Sequence, residues 1–320
     1  MLRARIGNVA RRLRNEYRGN RPRAISRELF FRGARRFTPA LIAEADGVRF
    51  HVKTYDRALG LLTFANGPPE GPTIALALSV LKANGETAPA IEKTFLEIGA
   101  NIGTATVTAL KGCGFRDSVS FEPLPENYTL LLANLEANGL TGRSRALQLA
   151  LSDHDGEAEF EVSPNNSGDG RVRTGAEAAG QDAFGESSRQ VVSVEMAQLD
   201  SLCESGVIEV DEIGLAWIDA QGFEGQILTG AHRLLESNVP VVTEFWPYGL
   251  ERSGGRRALT EMISSNYETV VDLGADDPFS PAARRRADQV DALFAEYERG
   301  SFLDPGGVNA STDLLLLKSS

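Results

Sequence analysis

FLEIGANIGTAT, residues 95–106, is the stretch from which the rest of the chain is read. An apolar run ends in the acid Glu97 and is followed by Gly99, three residues, Gly103 and an amphipathic segment. That order predicts a buried strand over TFLEIG (94–99), a tight turn, and a helix over 103–111. Gly99 permits the turn, and the missing side chain at Gly103 lets helix and strand approach. Backbone N–H groups at the helix start are thereby turned toward a ligand. The next apolar run, SVSFEP (118–123), ends in Glu122, 19 residues beyond Gly103. An acid at a second strand tip can accept hydrogen bonds from both ribose hydroxyls of a nucleoside. A glycine turn alone is weak evidence; turn, spacing and acid together point to a nucleoside cofactor.

Outward from that stretch, short apolar runs alternate with amphipathic ones. A helix with the stripe Tyr128, Leu131, Leu135 follows the second strand, and RALQLALS (145–152) reads as a third strand. LAWID (215–219) is a fourth, followed by one helix carrying Ile227, Ala231, Leu234 and Leu235. PVVTEFW (240–246) is a fifth, 256–265 is helical, and YETVVDL (267–273) and TDLLLLK (312–318) close the set. Nearly all-apolar strands alternating with helices predict a mainly parallel, doubly wound α/β sheet covered on both faces. The last two strands lack an ordinary crossover, which predicts an antiparallel C-terminal edge strand. Residues 163–190, rich in Gly, Ser and Asn, read as one long flexible loop. Residues 274–310 read as an insertion with a helix over 282–298, a substrate-side cap or a dimer contact.

Two cofactor classes fit such a turn. A dinucleotide fingerprint has glycine where this chain has Asn101, and Glu97 beside the turn would repel a pyrophosphate. S-adenosylmethionine carries a sulfonium and an ammonium, which carboxylates attract. The charge pattern therefore favours the methyl donor over an NAD-dependent dehydrogenase. Further along, FEPLPENYTLLLANLEANG, ALSDHDGEAEF, NNSGDG, QLDSL, IDAQGFEGQILTGAHRLL and VVTEFWP follow FLEIGANIG in order, from about residue 94 to 246. Together these stretches resemble the FkbM-type methyltransferases. The resemblance implies the class I methyltransferase (Rossmann-like) fold and methyl transfer from S-adenosylmethionine, typically to an oxygen of a sugar, polyketide-type product or other hydroxyl compound. Two places depart from the family pattern. Gln221 stands where the family commonly has glutamate, and Phe245 and Trp246 follow Glu244 where a histidine is common.

Resemblance and position together assign expected roles. Glu97, Gly99, Ala100, Asn101 and Gly103 surround the methionine part of the cofactor. Glu122 and Pro123 lie at the ribose, and Leu151, Ser152 and Asp153 at the adenine. Asp219, Glu224 and Glu244 are the candidate catalytic carboxylates, one of them a general base whose pKa its neighbours raise. Asp219 also reads as a helix cap. A divalent cation held by the same acids is the less favoured alternative, because their spacing is not that of a metal motif. Of the three histidines only His154 falls near the expected cofactor. Trp246, Pro247 and Tyr248 are candidates for an acceptor pocket.

Composition bounds these readings. In 320 residues, 42% are hydrophobic and 24% charged, as in soluble globular proteins, and the start shows no secretory signal pattern. Two cysteines without CxxC spacing predict neither a disulfide framework nor a zinc site, and a reducing cytoplasm is the default. The net charge of -11 is uneven. Residues 1–36 hold twelve arginines and no lysine against Glu16 and Glu28, leaving -21 on residues 37–320. An acidic body repels nucleic-acid phosphates, so the expected partner is a small-molecule or glycan acceptor and no nucleic acid. Leu2, Ile6, Val9, Leu13 and Tyr17 recur at helical spacing in the basic arm, a pattern for docking on anionic lipid at the inner membrane surface or on an acidic protein. A first helix packed on the chain's own acidic body is the alternative. The expected organisation is the arm (1–36), an accessory segment (37–93) and a methyltransferase domain (94–320). A non-catalytic cofactor-binding module is the second functional reading.

Overall fold

Apolar strands need cover on both faces, and the architecture supplies it. The structure, a computed structural model, describes residues 21–84, 90–174, 182–298 and 310–318. Helix α1 (Arg21–Ala34) leads into the hairpin β1 (Ala40–Ala45) and β2 (Val48–Lys53), then α2 (Leu59–Asn66) and α3 (Gly71–Ala83). There follow β3 (Thr94–Ile98), α4 (Thr104–Lys111), β4 (Asp117–Phe121), α5 (Pro125–Ala137) and β5 (Ser144–Leu147). Next come β6 (Ala150–Leu151), β7 (Gly156–Val162), β8 (Arg171–Val172), β9 (Gln190–Ala197) and α6 (Leu199–Glu204). The chain continues through β10 (Ile213–Ile218), α7 (Glu224–Thr229), α8 (His232–Glu236), β11 (Val241–Phe245), α9 (Pro247–Ser253) and α10 (Arg256–Asn266). Strands β12 (Thr269–Asp272) and β13 (Arg284–Arg286), helix α11 (Asp291–Glu298) and β14 (Thr312–Leu317) complete it.

The main sheet has eight strands in the order β13-β12-β14-β11-β10-β3-β4-β5. From β11 to β5 every pairing is parallel, as expected. Alternate residues face opposite sides. Leu96, Ala216, Ile218, Leu314 and Leu316 pack with α7, α8 and α10, whereas Phe95, Leu215, Trp217, Leu315 and Leu317 pack with α4 and α5. The second of these cores also takes in Phe31 of α1, Phe50 of β2 and Ile74 of α3.

The structure corrects several expectations. Strand β14 is antiparallel, but it lies between β11 and β12, and β13 takes the edge. RALQLALS is broken into β5 and β6; β6 leaves the main sheet and joins a separate sheet of order β6-β9-β7-β8. The helix expected after β10 is two short ones, α7 and α8, although Ile227, Ala231, Leu234 and Leu235 are all buried. The stretch 163–190 is not loop throughout: its described residues contain β8, which pairs with β7, and a 3-10 turn at Glu186–Ser188. Only residues 291–298 of the expected 282–298 helix are helical, because Arg284–Arg286 pair with β12 instead. Of the basic arm, 21–34 form α1, and residues 1–20 lie outside the described residues. Among the described residues no helix is long and apolar enough to cross a membrane.

Candidate active site

The cleft opens where β3, β4 and β10 end, because the turn after β3 is pressed against the turn after β10. Gly99 has φ 91°, and a Cβ there would come within 1.8 Å of the Asp219 carbonyl oxygen. No other residue fits. Asn101 sits at φ 51°, the left-handed region that Asn tolerates, and its N–H donates to Glu122 Oε2 at 2.9 Å. Glu122 Oε1 accepts from Leu124 N at 2.9 Å, so this carboxylate ties the β3 turn to the start of α5. A Cβ on Gly103 would strike Leu131 at 2.6 Å, so Gly103 sets the packing of α4 on α5 and does not line the cleft.

The cleft is about 270 Å³ in volume. Among its lining residues Glu70, Glu97, Glu122 and Asp219 are acidic, and none is a lysine, arginine or histidine. Burial therefore raises these carboxyls, and the hydrogen bonds that they accept offset it only in part. Glu70 and Glu122 are pushed up to about 7, burial being the main cause. Glu97 goes well above the ordinary range, again by burial, although Thr106 donates a hydrogen bond to it. Glu70 Oε2, Asn101 Oδ1 and Asn127 Oδ1 are buried without a hydrogen-bond partner among the described residues. Asn166, Ser167 and Gly168 form another wall, and Gly168 approaches Asn101 of the turn closely enough that a Cβ on it would lie 3.4 Å from Asn101 Nδ2. That wall is pinned by Asn127 Nδ2 donating to Ser167 O at 3.1 Å and by Ser167 N donating to Asp56 Oδ2 at 3.2 Å.

Beyond Asp219 lies a second tier of acids. Gln221, at φ 54°, donates from Nε2 to Asp219 Oδ1 at 2.8 Å and to Glu244 Oε2 at 3.0 Å. Asp219 and Glu244 also hydrogen-bond one another, and both are raised, first by burial; for Glu244 the Asp219 charge adds to it. Asp313 faces Glu244 in the β11–β14 register and is pushed to about 8, by burial and then by Asp219. Glu224 has another task. Its Oε1 accepts from Ala220 N at 2.9 Å and Gly222 N at 3.1 Å, so Glu224 holds the turn between β10 and α7, and neither it nor Asp219 caps α7, whose N-cap is Phe223.

A profile of the Methyltransferase FkbM domain matches residues 97–268, more than half of the chain. The chain belongs to the FkbM methyltransferases. It is 28% identical over 203 residues to the 2-O-methyltransferase NoeI of Sinorhizobium fredii, covering 60% of this chain and 81% of that one. Among solved structures, the O-methyltransferase from Bacillus cereus in complex with SAH is 14% identical, with a TM-score of 0.38, over 83% of this chain and 99% of that one. TYW2 of M. jannaschii in complex with AdoMet is 10% identical, with a TM-score of 0.40, over 87% of this chain and 84% of that one.

Within this FkbM methyltransferase the expected cofactor residues Glu97, Gly99, Ala100, Asn101, Glu122, Pro123 and Leu151 come together on the cleft. Ser152 and Asp153 do not. Ser152 N donates to Ala197 O at 3.0 Å and its hydroxyl to Asp153, which pairs with the exposed His154 at 2.6 Å. Of the expected catalytic carboxylates only Asp219 reaches the cleft; Glu244 stands behind Gln221, and Glu224 faces loop backbone. Trp246 and Tyr248 are buried around the Arg171 guanidinium, 4.6 and 6.0 Å from their ring centres, and do not form an acceptor pocket. The sequence reading missed Glu70, Asn127, Asn166 and Asp313. A lone acid inside the otherwise apolar TDLLLLK was the available signal for Asp313.

Proposed function

We propose that this methyltransferase uses S-adenosylmethionine to methylate an oxygen of a sugar or another small hydroxylated metabolite. One observation carries the reading: a glycine-turn cleft lined by four acidic side chains, with no basic one among its described lining residues. Uncompensated buried carboxylates are costly, and a ligand bearing an ammonium and a sulfonium would relieve that cost, whereas a pyrophosphate would add to it. The buried, unpartnered oxygens of Glu70, Asn101 and Asn127 are further acceptors for such a ligand's N–H and O–H groups. Glu97 and Glu70 would face its cationic part, and Glu122 its ribose. When bound, the cofactor supplies an activated methyl group on a good leaving group.

The chain's own residues then have to align and deprotonate the acceptor. Asp219 is the carboxylate that reaches the cleft, and burial raises it toward the working range of a general base, against the opposing hydrogen bonds from Gln221 and Glu244. Gln221 fixes both carboxylates through one amide, which a glutamate at that position could not do without adding a third negative charge. The name of the rhizobial relative, a 2-O-methyltransferase, supports oxygen as the accepting atom. A thermal-shift panel tests the cofactor assignment. S-adenosylmethionine and S-adenosylhomocysteine are expected to raise the melting temperature and NAD to leave it unchanged, because only ligands of the folded state stabilise it. Stabilisation by NAD alone would refute the reading.

A further inference from the structure

We propose that the outer face of α1 docks the protein on a bilayer containing anionic phospholipid. Two apolar side chains stand out on that face, Ile25 at 56% exposed and Leu29 at 66%, and Phe37 just beyond the helix is 89% exposed, whereas Phe30 turns aside and stacks on Phe64. Ile25 and Leu29 are one helical turn apart, so they stand side by side, and the exposed Arg32 continues the row. Arg23, Arg35 and Arg36 are exposed around them. The opposite side of α1 is already used: Phe31 is buried in the core, and Arg27 Nε donates to Phe64 O of α2 at 2.7 Å. Large apolar side chains interleaved with arginines are what an interfacial helix presents to headgroups and acyl chains.

Charge and shape decide among occupants. Residues 1–20 carry six arginines and one glutamate, so laying them on α1 sets like charge on like charge. A second copy meeting this face through a two-fold axis would do the same. A head-to-tail copy needs a complementary apolar patch. The other exposed large apolar residues among those described, Ile42, Leu62, Ile91, Leu132 and Phe279, each stand alone on a different element or connection. Nucleic acid would engage the arginines and leave Ile25, Leu29 and Phe37 in water. An anionic bilayer satisfies both kinds of side chain at once, and it repels the body, which carries -21 over residues 37–320. The membrane would then meet α1 and leave the acidic surface facing away. Helix α1 packs on α2, whose Leu59 and Leu62 line the cleft, so docking would hold the cleft close to the lipid surface.

Flotation of the full-length protein with vesicles tests this, and the readout involves neither cofactor nor acceptor, so its failure is separable from failure of the proposed activity. Binding is expected to vesicles of phosphatidylcholine with phosphatidylglycerol, to be absent from phosphatidylcholine alone, and to fade with salt. Ile25→Ser/Leu29→Ser should keep the parental melting temperature, since both side chains are exposed, and bind at least roughly tenfold more weakly. Should that variant fail to fold, Arg35→Gln/Arg36→Gln should still weaken binding several-fold. No flotation, flotation indifferent to anionic lipid, or binding unchanged in the variant that folds would each overturn the proposal. So would binding to RNA but not vesicles, or a variant whose effect is to dissolve a dimer that ignores vesicles.

Discussion

Beside β7 and β8 the buried carboxylates Asp169, Glu186 and Glu161 each have an arginine. Asp169 pairs with Arg171 and Arg189, Glu186 with Arg171 at 2.8 Å, and Glu161 with Arg252 at 2.7 Å. In the cleft, four acids share a wall with no basic side chain among the described lining residues. Glu186 in the first region and Glu97 in the second are both almost without exposed surface, yet their carboxyls shift in opposite directions. Burial pushes Glu186 up, but the Tyr248 hydroxyl, backbone N–H groups and Arg171 outweigh it and hold the group below its ordinary value. Burial pushes Glu244 and Glu97 well up, with neighbouring acids adding to it. Charge matched within the chain serves the chain; charge left unmatched awaits something from outside.

The sharpest way to break that contrast is to remove a partner from the matched set. Arg171→Met takes from Glu186 its ion pair at 2.8 Å, leaves Asp169 with Arg189 alone, and removes the cation ringed by Phe184, Trp246 and Tyr248. It is expected to cost about 3 kcal/mol or more of stability by urea denaturation. A loss under about 1 kcal/mol would mean that the network is not structural. In the unmatched set, Asp219→Asn keeps shape and removes the base. Turnover should fall by roughly a hundredfold or more, with cofactor affinity within about threefold. Equal loss of both would make Asp219 a binding residue.

Glu122→Ala gives a smaller effect on binding. It should weaken S-adenosylhomocysteine by about 1.5–3 kcal/mol in calorimetry, through the lost ribose contact and the loosened Asn101 turn. An unchanged dissociation constant in the folded variant would remove that assignment. The mildest effect is on pH. Glu70, Glu122 and Glu224 titrate at about 7 and Asp313 at about 8 when folded, above the ordinary carboxylate range. The folded state therefore holds more protons than the unfolded chain between pH 5 and 8. The stability these groups contribute is present at low pH and is lost as pH rises through 7 to 8. The ligand-free melting temperature should fall by several degrees over that window, and S-adenosylhomocysteine should shrink the fall. A flat profile would place compensating cations in the cleft.

What was legible in the sequence depended on chemistry lying close together along the chain. Glu97, Gly99, Asn101 and Glu122 fall within one strand-turn-helix-strand unit, so their positions in it, together with the family resemblance, placed them. Glu70 and Asp313 reach the same region from distant elements, and nothing local marks a lone acid as a site residue. The second sheet was hidden for another reason. Strand β6 has two residues, and no glycine or proline separates it from β5, so RALQLALS read as one strand. In β7 the exposed Glu157 and Glu159 of GEAEFEV mark a polar side that resembles loop, and the third glutamate, Glu161, is buried. The arginines over 284–286 continue a helical rhythm, yet Arg285 is drawn to Glu296 at 2.7 Å while its backbone pairs with β12.

Strand β14 has a consequence for how the protein is made. It fills the gap between β11 and β12, pairing Val241 with Leu316 and Val270 with that same Leu316 across its two edges. During synthesis β11 and β12 leave the ribosome long before their common partner, and until it arrives each presents unpaired backbone and apolar side chains to the cell. Closure of the sheet is thus a late, long-range event. A chain stalled or clipped before residue 312 would lack both the partner of Glu244 and the strand that shields two sticky edges. Such fragments would be prime clients for chaperones and proteases.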